Sequence, residues 1–173
     1  MHVESNSDAQ GESVNTRWPI TWPSTRSPLK GPFGTLSAGA YLINCKRVLA
    51  RSRTDALALC IESLRVPASE QQQWVIAPGC GENLRIGDTA GRLWLTAILD
   101  EHTGWRLVMA PSHQRSRRQQ WCCEDADRDQ HVSIVNAANR DLRIAASQGQ
   151  PILTRRHAAP EDHGWRIVTF HVC

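Results

Sequence analysis

From Gly39 onward, apolar and polar residues alternate in short runs broken about every ten residues by Gly, Asn, Asp or Pro. A period of two is the mark of strands that bury one face. Three stretches, GAYLINCKRVLARS (39–52), ENLRIGDTAGRLWLTA (82–97) and HVSIVNAANRDLRIAAS (131–147), each read as strand, tight turn, strand. Each hairpin is followed by a third apolar run: ALALCIE (56–62), WRLVMAP (105–111) and PILTRRH (151–157). A fourth run then carries a tryptophan, in QQWVIAP (72–78), QQWCCED (119–125) and HGWRIVTF (163–170). No segment has the 3.6-residue period of an amphipathic helix, so the pattern predicts an all-β domain.

The fourth runs fix the organisation. Trp74, Trp121 and Trp165 recur at about 45 residues, and Val48, Leu93 and Leu142 are expected at one position of the second strand. A competing register that pairs GWRLV (104–108) with GWRIV (164–168) leaves a middle unit of about 30 residues, too short for four strands and their turns. Four strands recurring three times give twelve strands in pseudo-repeats of about 36–80, 81–127 and 128–173. One such unit cannot bury its own apolar face, whereas three packed together can. Twelve short strands in three similar units resemble a single-domain β-trefoil, whose closure leaves few free sheet edges.

The 173 residues suffice for one self-supporting core. Residues 1–35 lack periodicity, are rich in Ser, Asn, Gly and Pro, and are expected to form a disordered tail, with Trp18 and Trp22 able to pin part of it. The start shows no secretory signal, so the expected location is cytoplasmic, and no run approaches membrane-spanning length. The 20 basic and 17 acidic side chains are interspersed, which describes a solvated surface and not a nucleic-acid face. Arg115, Arg117 and Arg118 read as a solvated loop, and Asn136, Asn139 and Asp141 as turn formers. The six cysteines form no CxxC pair and read as reduced thiols; in an exported protein, Cys45 and Cys60 on neighbouring strands would be the first candidates for a bridge. Neither a metal site nor a cofactor motif is present, and no strained nucleophile turn, HExxH or paired-carboxylate motif points to an enzyme.

Gln72–Trp74 and Gln119–Trp121 have the form Gln-X-Trp, which at this spacing resembles the signature of ricin B-type (R-type) β-trefoil lectins; His163 replaces the glutamine before Trp165. The resemblance spans residues 36–173. It implies that the tryptophans pack in the core and that the glutamines orient polar groups around them. It also implies sugar binding through an aspartate after the second-strand leucine, but the matching positions hold Ala50, Trp94 and Arg143. None can accept hydroxyl hydrogen bonds as a carboxylate does. The second unit retains an aromatic face and a carboxylate around one loop, in Trp94, Asp100, His102 and Trp105, and these are the candidate carbohydrate-binding residues. Trefoil protease inhibitors of the clitocypin and macrocypin kind are also similar. That resemblance implies binding through exposed loops, here 63–71 or 112–118. The expected function is therefore a non-catalytic binding module for a glycan or glycoprotein, the alternative partner being a protease or other protein.

Overall fold

A computed structural model of the chain describes residues 38–124, 131–155 and 164–171. Among these residues, twelve strands form a single sheet: β1 (Ala38–Asn44), β2 (Arg47–Arg51), β3 (Leu59–Ser63), β4 (Trp74–Pro78), β5 (Leu84–Asp88), β6 (Leu93–Asp100), β7 (Gly104–Pro111), β8 (Trp121–Glu124), β9 (Ser133–Asn136), β10 (Leu142–Ser147), β11 (Gln150–Arg155) and β12 (Arg166–His171). Two single 3₁₀ turns, Glu70–Gln72 and Arg117–Gln119, precede β4 and β8. Among the described residues, no helix is long and apolar enough to cross a membrane.

Six strands close a barrel. β1 pairs with β4, β4 with β5, β5 with β8 and β8 with β9. A Val132–Trp165 bridge joins the β9 and β12 ends, and β12 returns to β1 in a six-residue register from Ala38–His171 to Ile43–Arg166. The remaining strands form the hairpins β2–β3, β6–β7 and β10–β11. The fold is thus a β-trefoil, and its pseudo-threefold can be read residue by residue. Ala40–Trp74, Leu84–Trp121 and Val132–Trp165 are equivalent pairings, one within each unit. Between hairpins, Met109 N–H donates to Leu57 O and Ile61 N–H to Gly149 O, two backbone bonds related by the same symmetry.

The three marker tryptophans are completely buried. Each Nε1–H donates to a second-strand carbonyl: Trp74 to Leu49 at 2.9 Å, Trp121 to Leu95 at 3.1 Å and Trp165 to Ile144 at 2.9 Å. These bonds let the largest side chains fill the core without leaving a polar atom unpaired. The buried glutamines act one turn earlier. Gln72 Nε2 donates to Ser63 O and its Oε1 accepts from Arg65 N–H; Gln119 does the same with Pro111 O and His113 N–H. Each Gln-X-Trp therefore ties the loop after a third strand to the core. His163 lies outside the described residues, as do the tail 1–35 and Trp18 and Trp22.

The tryptophan bonds correct one expectation. Leu49, Leu95 and Ile144 occupy the same position, so Leu93 and Leu142 correspond to Arg47 and not to Val48. The reason is the first hairpin's shorter turn: Ile43 pairs with Val48, whereas the equivalent pairs are Gly87–Trp94 and Val135–Arg143. Nor do Cys45 and Cys60 face each other. Cys45 sits in the β1–β2 turn, Cys60 pairs with Ala50, and both are free thiols.

Trp74→Ala, Trp121→Ala and Trp165→Ala are each expected to cost about 3–5 kcal/mol, because each opens a cavity and orphans a carbonyl. Urea denaturation checks this: the three midpoints should fall by similar amounts. A variant with an unchanged midpoint would contradict a core organised around three equal anchors.

Candidate functional site

The β6–β7 hairpin holds all four candidate carbohydrate-binding residues but does not assemble them. Trp94 is 5% exposed. Its ring covers Gly87, where a Cβ would lie 2.9 Å from Cε3, so only glycine fits beneath it. The Arg85 guanidinium lies 3.9 Å from the ring centroid, and Nε1–H donates to Gly91 O. Trp94 is therefore a packing residue and not a platform for a sugar ring. Asp100 lies six residues further along the same strand, about 20 Å away and beyond the reach of one pyranose.

Asp100 serves its own turn. Its Oδ1 accepts the N–H groups of His102 at 2.9 Å and Thr103 at 2.8 Å, and Oδ2 stands 3.9 Å from Arg106. Those two backbone bonds hold the carboxyl below its ordinary pKa, with a smaller contribution from Arg106. Leu99 is opposite Trp105 and Asp100 is opposite Gly104. Directly opposed residues share a face and neighbours alternate, so Trp105 and Asp100 point to opposite sides of the hairpin. His102 is exposed at the tip.

Trp105 instead opens onto a groove of about 370 Å³ where the third-strand segments of all three units converge. The first unit contributes Asp55 and Leu57, the second Trp105 and Arg106, and the third Gln150 and Ile152. The tryptophan register makes Leu57, Trp105 and Gly149 equivalent, so only the second unit places an aromatic ring here. Trp105 is half-buried against the core, with the Arg118 guanidinium 6.0 Å from its centroid. Leu57 is 51% and Ile152 39% exposed, and Leu99, paired with Trp105, is 55% exposed. Two of the five large exposed apolar side chains among the described residues, Leu57 and Ile152, thus line one groove with a polar rim, the composition of a binding surface. Asp55 Oδ1 accepts Leu57 N–H and so braces that rim. The sequence reading included Trp105 but missed its neighbours. The available signal was the exposed-type Leu57 and Ile152 at the heads of the first and third of these runs.

The positions examined for a sugar-binding aspartate give the same result in the corrected register. Ala50 is equivalent to Thr96 and Ala145, and Trp94 and Arg143 are equivalent to Val48. Neither set contains a carboxylate. Asn136 Oδ1 accepts Ala138 N–H and Asn139 Oδ1 accepts Asp141 N–H, the turn roles expected of them. Among the described residues, no cluster of metal-ligating side chains occurs. The loop 63–71 is pinned by Gln72, by Gln73 Nε2 to Ala68 O and by Arg51 Nη2 to Glu70 O, yet Val66 at its tip is 92% exposed.

Two outcomes follow from these environments. Folding lowers the Asp100 pKa, so its carboxylate stabilises the turn above the ordinary carboxylate range, and this contribution is lost as pH falls through the lowered value. Asp100→Ala should therefore lower Tm at neutral pH, and the gap from wild type should close in strong acid. Burial raises the Cys60 and Cys122 pKa values and pushes Cys123 up to about 12, while Cys45 and Cys80 are exposed. Under mild alkali, a thiol reagent followed by peptide mapping should modify Cys45 and Cys80 first and Cys123 last among these five.

No protein-family model and no curated protein matches the chain. Solved structures do. The GlcNAcα1-4Gal-releasing endo-β-galactosidase from Clostridium perfringens superposes with a TM-score of 0.65 at 11% identity, over 78% of this chain and 33% of that one. The chain thus spans about a third of the enzyme's length. SeviL, in a structure bound to asialo-GM1 saccharide, gives 0.59 at 15% identity over 76% of this chain and 97% of its own. The designed 3-fold symmetric protein ThreeFoil gives 0.61 at 13% identity over 75% and 97%. At such identities, the likeness is one of fold, and it agrees with the three-unit architecture seen in the strand register.

Proposed function

We propose that this chain is a non-catalytic carbohydrate-binding module whose saccharide seat is the groove between the third strands. The observation that carries the reading is the half-buried Trp105 ring, open to a groove rimmed by Asp55, Arg106 and Gln150. An aromatic face supports the apolar side of a pyranose, while a carboxylate and an amide take its hydroxyls. SeviL, which matches over nearly its whole length, carries a saccharide on the same fold. Hydrolysis of a glycosidic bond ordinarily needs two carboxylates across the scissile bond, and the groove lining supplies only Asp55. A shallow seat of this kind gives weak monovalent affinity, so useful retention comes from several copies on one surface.

A second reading, protein binding through the loop 63–71, is favoured by Val66, an apolar side chain held almost wholly in water on a pinned backbone. A rigid loop loses little entropy on entering a cleft, which is what a protease inhibitor requires.

A glycan array probed with multivalent protein separates the two. Selective retention is expected. It should fall by about tenfold in Trp105→Leu, which installs the first unit's side-chain type at that position, and in Gln150→Ala. Tm should stay near wild type in the exposed Gln150→Ala variant. An empty array, or retention indifferent to both changes, would reject the groove; protease inhibition lost in Val66→Asp would then establish the loop reading.

A further inference from the structure

A second groove, of about 380 Å³, lies between the β1–β2 turn and the β10–β11 turn, lined by Asn44, Cys45, Lys46 and Arg47 on one side and Ala146, Gln148 and Gly149 on the other. Two independent features converge there. Its charged groups are both cations, and among the described residues neither Lys46 nor Arg47 pairs with a carboxylate. The Arg47 guanidinium reaches over Gly149, with Nη1 3.9 Å from where a Cβ on that glycine would sit. A side chain there would stand in contact with the cation, and at φ 79° it would also be strained.

The second feature is the backbone. Among the described residues, Cys45 (φ 53°) and Gln148 (φ 48°) are the non-glycine residues in the left-handed region, and both line this groove. Neither type is among those that adopt this conformation readily, as Asn, Asp and Gly do. Ordinary hairpin chemistry would place Gly or Asn there. Both strained positions and both cations without counter-charges thus lie on two turns that line one groove.

We propose that this groove binds an oxyanion: the sulfate or carboxylate group of an acidic saccharide. The guanidinium and ammonium supply charge-assisted hydrogen bonds and the Gln148 amide supplies a neutral donor. Gly149 lines this groove and the next residue, Gln150, lines the saccharide seat, so the two lie on either side of one turn. A saccharide whose neutral ring rests on Trp105 can thus present its acidic group to Arg47. The oxyanion site stands on its own observations, whereas its use by a saccharide rests on the reading under Proposed function.

The test is a backbone NMR titration of the full chain with sodium sulfate, with a sulfated disaccharide and with the desulfated parent, each at constant ionic strength. Sulfate is expected to shift resonances of residues 44–47 and 146–149. Lys46→Ser/Arg47→Ser should weaken this by about tenfold or more, while the charge-matched control Arg115→Ser/Arg117→Ser should not. Gln148→Gly should raise Tm by relieving the left-handed strain and at the same time weaken sulfate binding, a combination that a purely structural turn does not produce. Sulfate shifts that spread equally over Arg115 and Arg117, or that survive the Lys46/Arg47 changes, overturn the site. If the sulfated disaccharide binds and its parent does not, the oxyanion site holds and the neutral seat fails. Equal binding of the two rejects the acidic-saccharide proposal while leaving the neutral seat in place.

Discussion

The bond from a buried indole N–H to a second-strand carbonyl, made three times, is what the rest of this structure depends on. An indole is the largest apolar body the chain can place in its core, but a buried N–H without an acceptor would offset much of that gain. The carbonyls of Leu49, Leu95 and Ile144 supply the acceptors, and in doing so they set how far each second strand advances relative to its fourth. In the first two units the glutamine two residues earlier extends the restraint outward, fixing the first residues of the loop that leaves the third strand. Barrel, hairpins and loop bases are thus positioned by one short motif.

That motif was legible because its residues are core residues. Period-two alternation located the strands, and the recurrence of tryptophan at near-equal intervals grouped them, since a repeated packing problem calls for the same side chain. The second-strand register was less legible. Val48 and Leu49 are both apolar and both buried, so composition cannot say which one offers its carbonyl to the indole; the shorter first turn moves the answer by one residue.

The candidate site was only partly legible, for a related reason. Trp94 and Trp105 look alike in sequence. What separates them is Gly87, which lets one ring sink onto the neighbouring strand, and the strand parity that turns the other away from Asp100 toward Leu57 and Ile152. The groove joins positions about fifty residues apart, and no local pattern encodes it. Symmetry in the core has been kept while symmetry in the groove has been lost: Leu57, Trp105 and Gly149 occupy one position in the three units and have three different chemistries.

Closure of the barrel has a further consequence, in time instead of space. β1 completes its pairing with β12, and Asn44 Nδ2 donates to Gly164 O across 120 residues of chain. During synthesis the first strand emerges long before its partner exists, leaving an unpaired edge that other chains can join. Loop closure over such a span makes the last pairing slow relative to the local hairpins, which form within their own units. The ring of strands that leaves the finished protein with few edges therefore obliges the growing chain to carry one, and its exposure to aggregation is greatest just before the final unit is made.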